Sequence, residues 1–254
     1  MIRKMKFISI ILIMFFMFSQ VSFANTNLTI PTVTIGVDNA ANPQETVNTI
    51  QIILLLTVLA LAPSILILMT SFTRIIIVLS FLRSAMGTSQ MPPNQVLIGL
   101  ALFLTFFIMS PTFAKINTNA LQPYLANEIT QQEAFDNAVA PLKTFMLSQI
   151  KGEKDLALFL ELSGEKAPEN LEDLPLTIII PAFTISELKV AFQLGFIVYI
   201  PFLIIDMVVA STLMSMGMMM LPPTMISLPF KLLIFILVDG WNLLITSVVS
   251  GFVR

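Results

Sequence analysis

The chain has 254 residues, of which 56% are hydrophobic and 11% charged, and its formal net charge is −2. An ordinary globular domain is about 25% charged, so this composition is that of a membrane protein, and the charge offers no support for nucleic acid binding. Cysteine and histidine are absent; this excludes disulfides, thiolate chemistry and the commonest metal ligand, and we expect no metal ion and no other cofactor.

The N-terminus has the pattern of a secretory signal peptide. Three basic residues among the first six precede a short apolar run from Phe7 to Phe18, and Ser22-Phe23-Ala24 supplies a small-x-small cleavage site. The run is shorter than the roughly 20 residues that span a bilayer. We therefore predict a cleaved signal peptide over residues 1–24, with an uncleaved anchor as the alternative. The polar leader at residues 25–49 would then begin outside the cytoplasm.

Four apolar blocks follow, at about residues 50–82, 96–113, 190–213 and 225–253. The first is too long for one straight span, and Pro63 is predicted to break it. We group the blocks into two helical hairpins, residues 50–113 and 181–254. The segment between them, residues 114–180, is polar and acidic. The fold class predicted is an all-α membrane protein with a small α-helical periplasmic domain between its hairpins.

An internal repeat marks the bend of each hairpin. Met86 to Pro93 and Met216 to Pro223 share the pattern M-G-x-x-x-[ML]-P-P. Glycine permits a tight turn, while paired prolines stop one helix and start the next. The predicted bend residues are Gly87, Pro92 and Pro93 in the first hairpin and Gly217, Pro222 and Pro223 in the second.

Only the second bend is rich in methionine. Five methionines fall within the seven residues from Met214 to Met220. Methionine is unbranched and polarizable, so it re-packs against surfaces of different shape. Packing of a membrane core would scatter such residues over helix faces, whereas clustering at a bend favours a flexible apolar seal.

Charged residues inside apolar segments are costly and are usually paired. Asp206 and Lys231 stand at comparable depths in adjacent antiparallel blocks, so we predict a buried pair between them. The pair either fixes helix register and subunit contacts or belongs to a proton relay, and the first is favoured because a relay needs more titratable groups. The other charges of this kind are Arg74, Glu187, Lys189 and Asp239.

The sequence offers little support for an enzymatic function. Asp206 and Asp239 raise the alternative of an intramembrane aspartyl protease, but no Gly-x-Gly-Asp pattern surrounds them. No Gly-x-Ser-x-Gly elbow and no phosphate-binding Gly-x4-Gly-Lys motif occurs. We therefore expect that the chain is not an enzyme. A secondary transporter remains a second alternative, and it would bind a small solute without partner proteins.

Two long stretches, Pro181 to Phe196 and Pro201 to Ser211, resemble signature motifs of the FliP family, the core export gate subunits of flagellar type III secretion systems. Two shorter segments, Leu228 to Lys231 and Val238 to Trp241, also resemble sequences of this family. Leu194 is a mild departure from that pattern. The resemblance covers the chain from about Ile50 onward, and the signal peptide and leader favour the flagellar subunit over its alternative, the equivalent subunit of a virulence injectisome.

The resemblance implies a gate that passes unfolded rod, hook and filament proteins through a methionine-lined constriction. A homo-oligomer of about five copies would form a closed ring with FliQ and FliR in the bacterial inner membrane, near FlhB and FlhA, raised toward the periplasm within the flagellar basal body. The family's methionine loop corresponds to Met218, Met219 and Met220, with Met216 as a weaker member, and Glu187 falls in a motif associated with subunit contacts.

Overall fold

The computed structural model describes residues 43–88, 90–164, 170–218 and 220–252. The predicted signal peptide, most of the leader and Met219 lie outside these residues. Helices account for all regular secondary structure in the described part, with no strand in it, so the predicted all-α class is confirmed there. The chain divides into two units, residues 1–55 and 56–254. Of the first unit, the structure describes only the start of a helix from Pro43.

The first apolar block forms two helices, α1 (Pro43–Met69) and α2 (Phe72–Ala85). The predicted break at Pro63 is wrong: α1 runs through this proline, and the chain bends by 67° between Met69 and Phe72. The hydroxyl of Thr70 donates to the carbonyl of Leu66, and the amide of Phe72 donates to the Thr70 hydroxyl over 3.3 Å. A side chain that takes over main-chain partners makes a bend at this point inexpensive.

The second and third apolar blocks extend well beyond the predicted spans. Helix α3 (Asn94–Ile116) continues through a π-helical turn (Asn117–Leu121) into the short helix α4 (Gln122–Leu125). Helix α7 (Leu176–Ser215) has 40 residues and contains Pro181 and Pro201. At 1.5 Å per residue it is about 60 Å long, twice the thickness of a bilayer core. The N-terminal half of helix α7 therefore packs against the polar segment, and its C-terminal half forms the first arm of the second hairpin.

The fourth block forms two helices, α8 (Pro223–Leu237) and α9 (Gly240–Ser250), which meet at an angle of 65°. Asp239, between them, has the left-handed φ of 51°. A Cβ atom at Gly240 would lie 2.2 Å from the Phe235 ring, so only glycine allows α9 to fold this closely against the end of α8.

The polar segment folds into helices α5 (Gln131–Gln149) and α6 (Glu153–Ser163), followed by a 3-10 turn (Leu171–Asp173). A capping box starts α5: the Thr130 hydroxyl accepts the amide of Glu133, and the Glu133 carboxylate accepts the amide of Thr130. These helices pack on the N-terminal half of α7 through a cluster that includes Met146, Leu174 and Phe183.

A second hydrophobic cluster joins the two hairpins. Helix α2 packs along α7 and α3, and the cluster draws on α2, α3, α7, α8 and α9; its members include Ile75, Leu79, Leu97, Ala191, Phe202, Phe235 and Leu244. By length and apolar composition, two of the described helical stretches could each cross a membrane, Asn94–Leu125 and Leu176–Ser215, and up to four if each bent pair forms one span. The chain is thus a helical membrane protein.

Candidate functional site

The second bend is built by a glycine and two prolines. Gly217 has a φ of 75°, the left-handed conformation that glycine adopts most readily. The amide of Met218 donates to the carbonyl of Leu213 over 3.0 Å, and that of Gly217 to Met214 over 3.0 Å, which is the bond pattern of a Schellman motif. Pro222 precedes α8 and Pro223 opens it. The bend is a defined backbone turn.

The methionine side chains at this bend point away from the rest of the chain. Their exposed fractions are 68% for Met216, 44% for Met218 and 97% for Met220. Met219 lies outside the described residues. Exposed large apolar side chains on one contiguous feature mark a site of contact with a membrane, a partner or a ligand.

The first bend also turns at a left-handed glycine but has a different surface. Gly87 has a φ of 76°, and Pro93 immediately precedes α3, with Pro92 before it. Arg83 donates to the Asn94 side-chain oxygen over 2.7 Å and so bridges the bend. Met86, the counterpart of Met216, is only 4% exposed. The first bend exposes one methionine, Met91 at 70%, whereas the second exposes Met216, Met218 and Met220.

An ionic cluster lies between the bends. The Lys231 ammonium donates to Asp206 over 2.6 Å and to the carbonyl of Ala85 over 3.1 Å, and the Ser227 hydroxyl donates to Asp206 over 2.5 Å. Ala85 is the last residue of α2, so Lys231 links the first bend to α7 and α8. The structure brings together Asp206 and Lys231, while sequence reasoning missed Ser227. Its spacing of four residues from Lys231 places both on one face of α8 and would have revealed it.

A second ionic cluster surrounds Arg74, which sequence reasoning did not pair. Its Nε donates to the Glu187 carboxylate over 2.7 Å, and its Nη2 makes a second bond to the same carboxylate. Both side chains are 0% exposed. The guanidinium also approaches Gly251 O at 3.4 Å and Gln149 at 3.5 Å, and it lies 3.7 Å from the centre of the Phe252 ring. Arg74 thereby ties α2, α5, α7 and the C-terminal residues together.

The remaining charges are arranged differently. Lys189 pairs with Asp155 of α6, a partner that sequence reasoning missed. Asp239 is exposed at the α8–α9 bend, and Asp206 bonds to Lys231 and Ser227 rather than to Asp239. In the described part of the chain, no group of three or more acidic residues is arranged to hold a metal ion.

Comparison with known proteins decides the family. The FliP family model matches residues 55–248. A Flagellar biosynthetic protein FliP of Bacillus subtilis (strain 168) is 59% identical over 218 residues, which cover 86% of this chain and 98% of the relative. The chain belongs to the FliP family.

Two further relatives of the same name support membership of the FliP family. A Flagellar biosynthetic protein FliP of Caulobacter vibrioides is 54% identical over 82% of this chain and 78% of its own length. One of Aquifex aeolicus is 51% identical over 81% of this chain and 87% of its own length. The region that matches the FliP model contains both bends, the Asp206–Lys231 pair and the Arg74–Glu187 pair.

Proposed function

We propose that this FliP-family chain is the pore-forming subunit of the flagellar type III protein export gate. Its curated relatives carry the name flagellar biosynthetic protein, which favours the flagellar role over that of a virulence injectisome. The observation that carries the proposal is the second bend, where a glycine–proline turn presents exposed methionines to the exterior.

The proposed mechanism follows from the chemistry of the thioether. Several copies, about five, would assemble with FliQ and FliR, with FlhB and FlhA nearby, so that their second bends converge on one axis. Methionine side chains would fill the closed constriction and exclude ions by removing water from it. When an unfolded rod, hook or filament protein passes, the same flexible side chains would re-pack around it regardless of its sequence.

The proposed location is the bacterial inner membrane within the flagellar basal body. The polar segment, residues 114–180, would lie on the periplasmic side, and the hairpins would stand partly above the membrane plane in the finished gate. Large exposed apolar residues on α3, among them Phe103 and Phe107, would face lipid during insertion and neighbouring subunits after assembly.

The test replaces Met218, Met219 and Met220 together by alanine. We expect normal yield of the complex with its partners but a resting gate that conducts small ions, measured as ion flux through purified complexes in liposomes. A matched control removes three other exposed methionines, Met91, Met207 and Met225, and should leave the gate closed. Unchanged ion permeability in assembled triple-alanine complexes would refute the constriction.

A further inference from the structure

A cavity of about 580 Å³ lies where the polar segment meets α7. Its lining includes Lys151 from the loop before α6, Lys154 and Asp155 from the first turn of α6, and Ser186 and Lys189 from α7. The amide of Lys151 donates to the buried Ser186 hydroxyl over 3.2 Å, and this bond holds the loop before α6 against α7. We refer to this space as the lysine cavity.

The lysine cavity concentrates positive charge within an acidic region. Residues 115–175 contain five lysines and ten acidic residues, yet the cavity is lined by three lysines and one aspartate, a formal charge of +2. Asp155 is bound to Lys189, whose side chain remains 58% exposed. An ammonium group has three donors, so Lys189 retains donors beyond the one that Asp155 accepts. Such a site suits an anionic group with several acceptor oxygens.

An exposed apolar face of α7 starts one turn after Lys189. Phe192, Phe196, Ile200 and Leu203 follow it at spacings of 3, 7, 11 and 14 residues, and all four side chains are exposed. These spacings keep them on the same side of the helix as Lys189. The lysines therefore stand at the boundary between a polar region and an apolar helix surface, as lysines do at the headgroup level of a bilayer.

We propose that the lysine cavity binds the headgroup of an anionic phospholipid, with its acyl chains lying along this face of α7. Basic pockets beside membrane helices recognise anionic lipid headgroups through this combination of lysines and adjoining apolar surface. The inference does not depend on the export function, since it concerns only how the chain contacts the membrane that holds it.

The test uses native mass spectrometry of the full-length chain, purified in detergent with its associated proteins and titrated with phosphatidylglycerol. The same titration with phosphatidylcholine of identical acyl chains measures the dependence on headgroup charge. Lys151 and Lys154 are exposed, so Lys151→Gln with Lys154→Gln removes two charges without leaving Asp155 unpaired. At the usual contribution of one lysine near an anionic surface, we expect phosphatidylglycerol binding to weaken about 25-fold.

The matched control removes two lysines of the same polar segment outside the cavity, Lys115→Gln with Lys143→Gln, and should leave binding unchanged. Equal binding of the two lipids, or equal weakening by the control pair, overturns the proposal. Soluble glycerol phosphate that binds as tightly as phosphatidylglycerol shows that the acyl chains contribute nothing; this result identifies a free phosphate as the ligand and also overturns the proposal. Lipid binding that is lost whenever associated proteins are present shows that a protein covers the cavity, and it too overturns the proposal.

Discussion

The loss of unfolding free energy when the buried Arg74–Glu187 ion pair is broken can be predicted from the structure. Neither side chain has any exposed surface, so Arg74→Met leaves the Glu187 carboxylate buried without its cation. Removing one partner of a buried ion pair costs about 3–5 kcal/mol. The structure places this substitution at the upper part of that range, because the guanidinium also contacts Gly251 O and Gln149 and lies against the Phe252 ring.

The double variant Arg74→Met with Glu187→Met separates charge from packing. Since both charges are gone, the desolvation cost disappears, and we expect a loss of only about 1–2 kcal/mol from the unsatisfied groups on Gln149 and Gly251. The assay is the free energy of unfolding of the full-length chain in detergent by denaturant titration. Arg83→Met is the control, since Arg83 bonds to Asn94 at the surface of the first bend, and it should cost less than about 1 kcal/mol.

The reasoning is refuted if Arg74→Met costs less than about 1 kcal/mol, or if the double variant is as destabilised as the sum of the two single variants. Either result would mean that the Glu187 carboxylate finds other partners once Arg74 is removed.

The remaining predictions concern substitutions at four positions. Asp206→Asn should lower the yield of assembled complex because it weakens the Lys231 link between the bends; normal yield with lost export would instead assign Asp206 to translocation. Gly240→Ala should cost about 1–3 kcal/mol of unfolding free energy, because its Cβ would meet the Phe235 ring at 2.2 Å. Gly99→Ala, with nothing within 4 Å, should be neutral or stabilising by up to about 1 kcal/mol, and an equal loss at both sites would contradict this account. The pKa of Glu133 is lowered by the hydrogen bond from the Thr130 amide and then by that from the Thr130 hydroxyl, so its contribution to the start of α5 is present above the ordinary glutamate pKa and is lost as pH falls through the lowered value. Hydrogen exchange of the first turn of α5 should show this loss on acidification and should not show it in Glu133→Gln.

Local features of the bends were predictable from the sequence. A glycine that tolerates positive φ and prolines that suit a helix start act within a few residues, so the pattern M-G-x-x-x-[ML]-P-P indicated both turns. Counting depth from the second bend also predicted that Asp206 lies near Lys231, because the two helices are joined by a short turn and their register is therefore fixed.

The boundaries of two helices, α1 and α7, were not predicted correctly from the sequence. The proline rule predicted a break at Pro63, but α1 continues through it to Met69, and the chain bends after α1, at Thr70 and Ser71. The sequence analysis also predicted too short a helix for α7, because it took residues 190–213 as the apolar block and did not join them to residues 176–189.

The chain's own residues determined its membrane character, its helical class and its two bends, because composition and turn chemistry act locally. The tertiary structure alone decided that Arg74 meets Glu187, 113 positions away, and that Met86 is buried while Met216 is exposed. Both outcomes depend on which helix faces come together, and that is set by the summed packing of all helices rather than by any one segment.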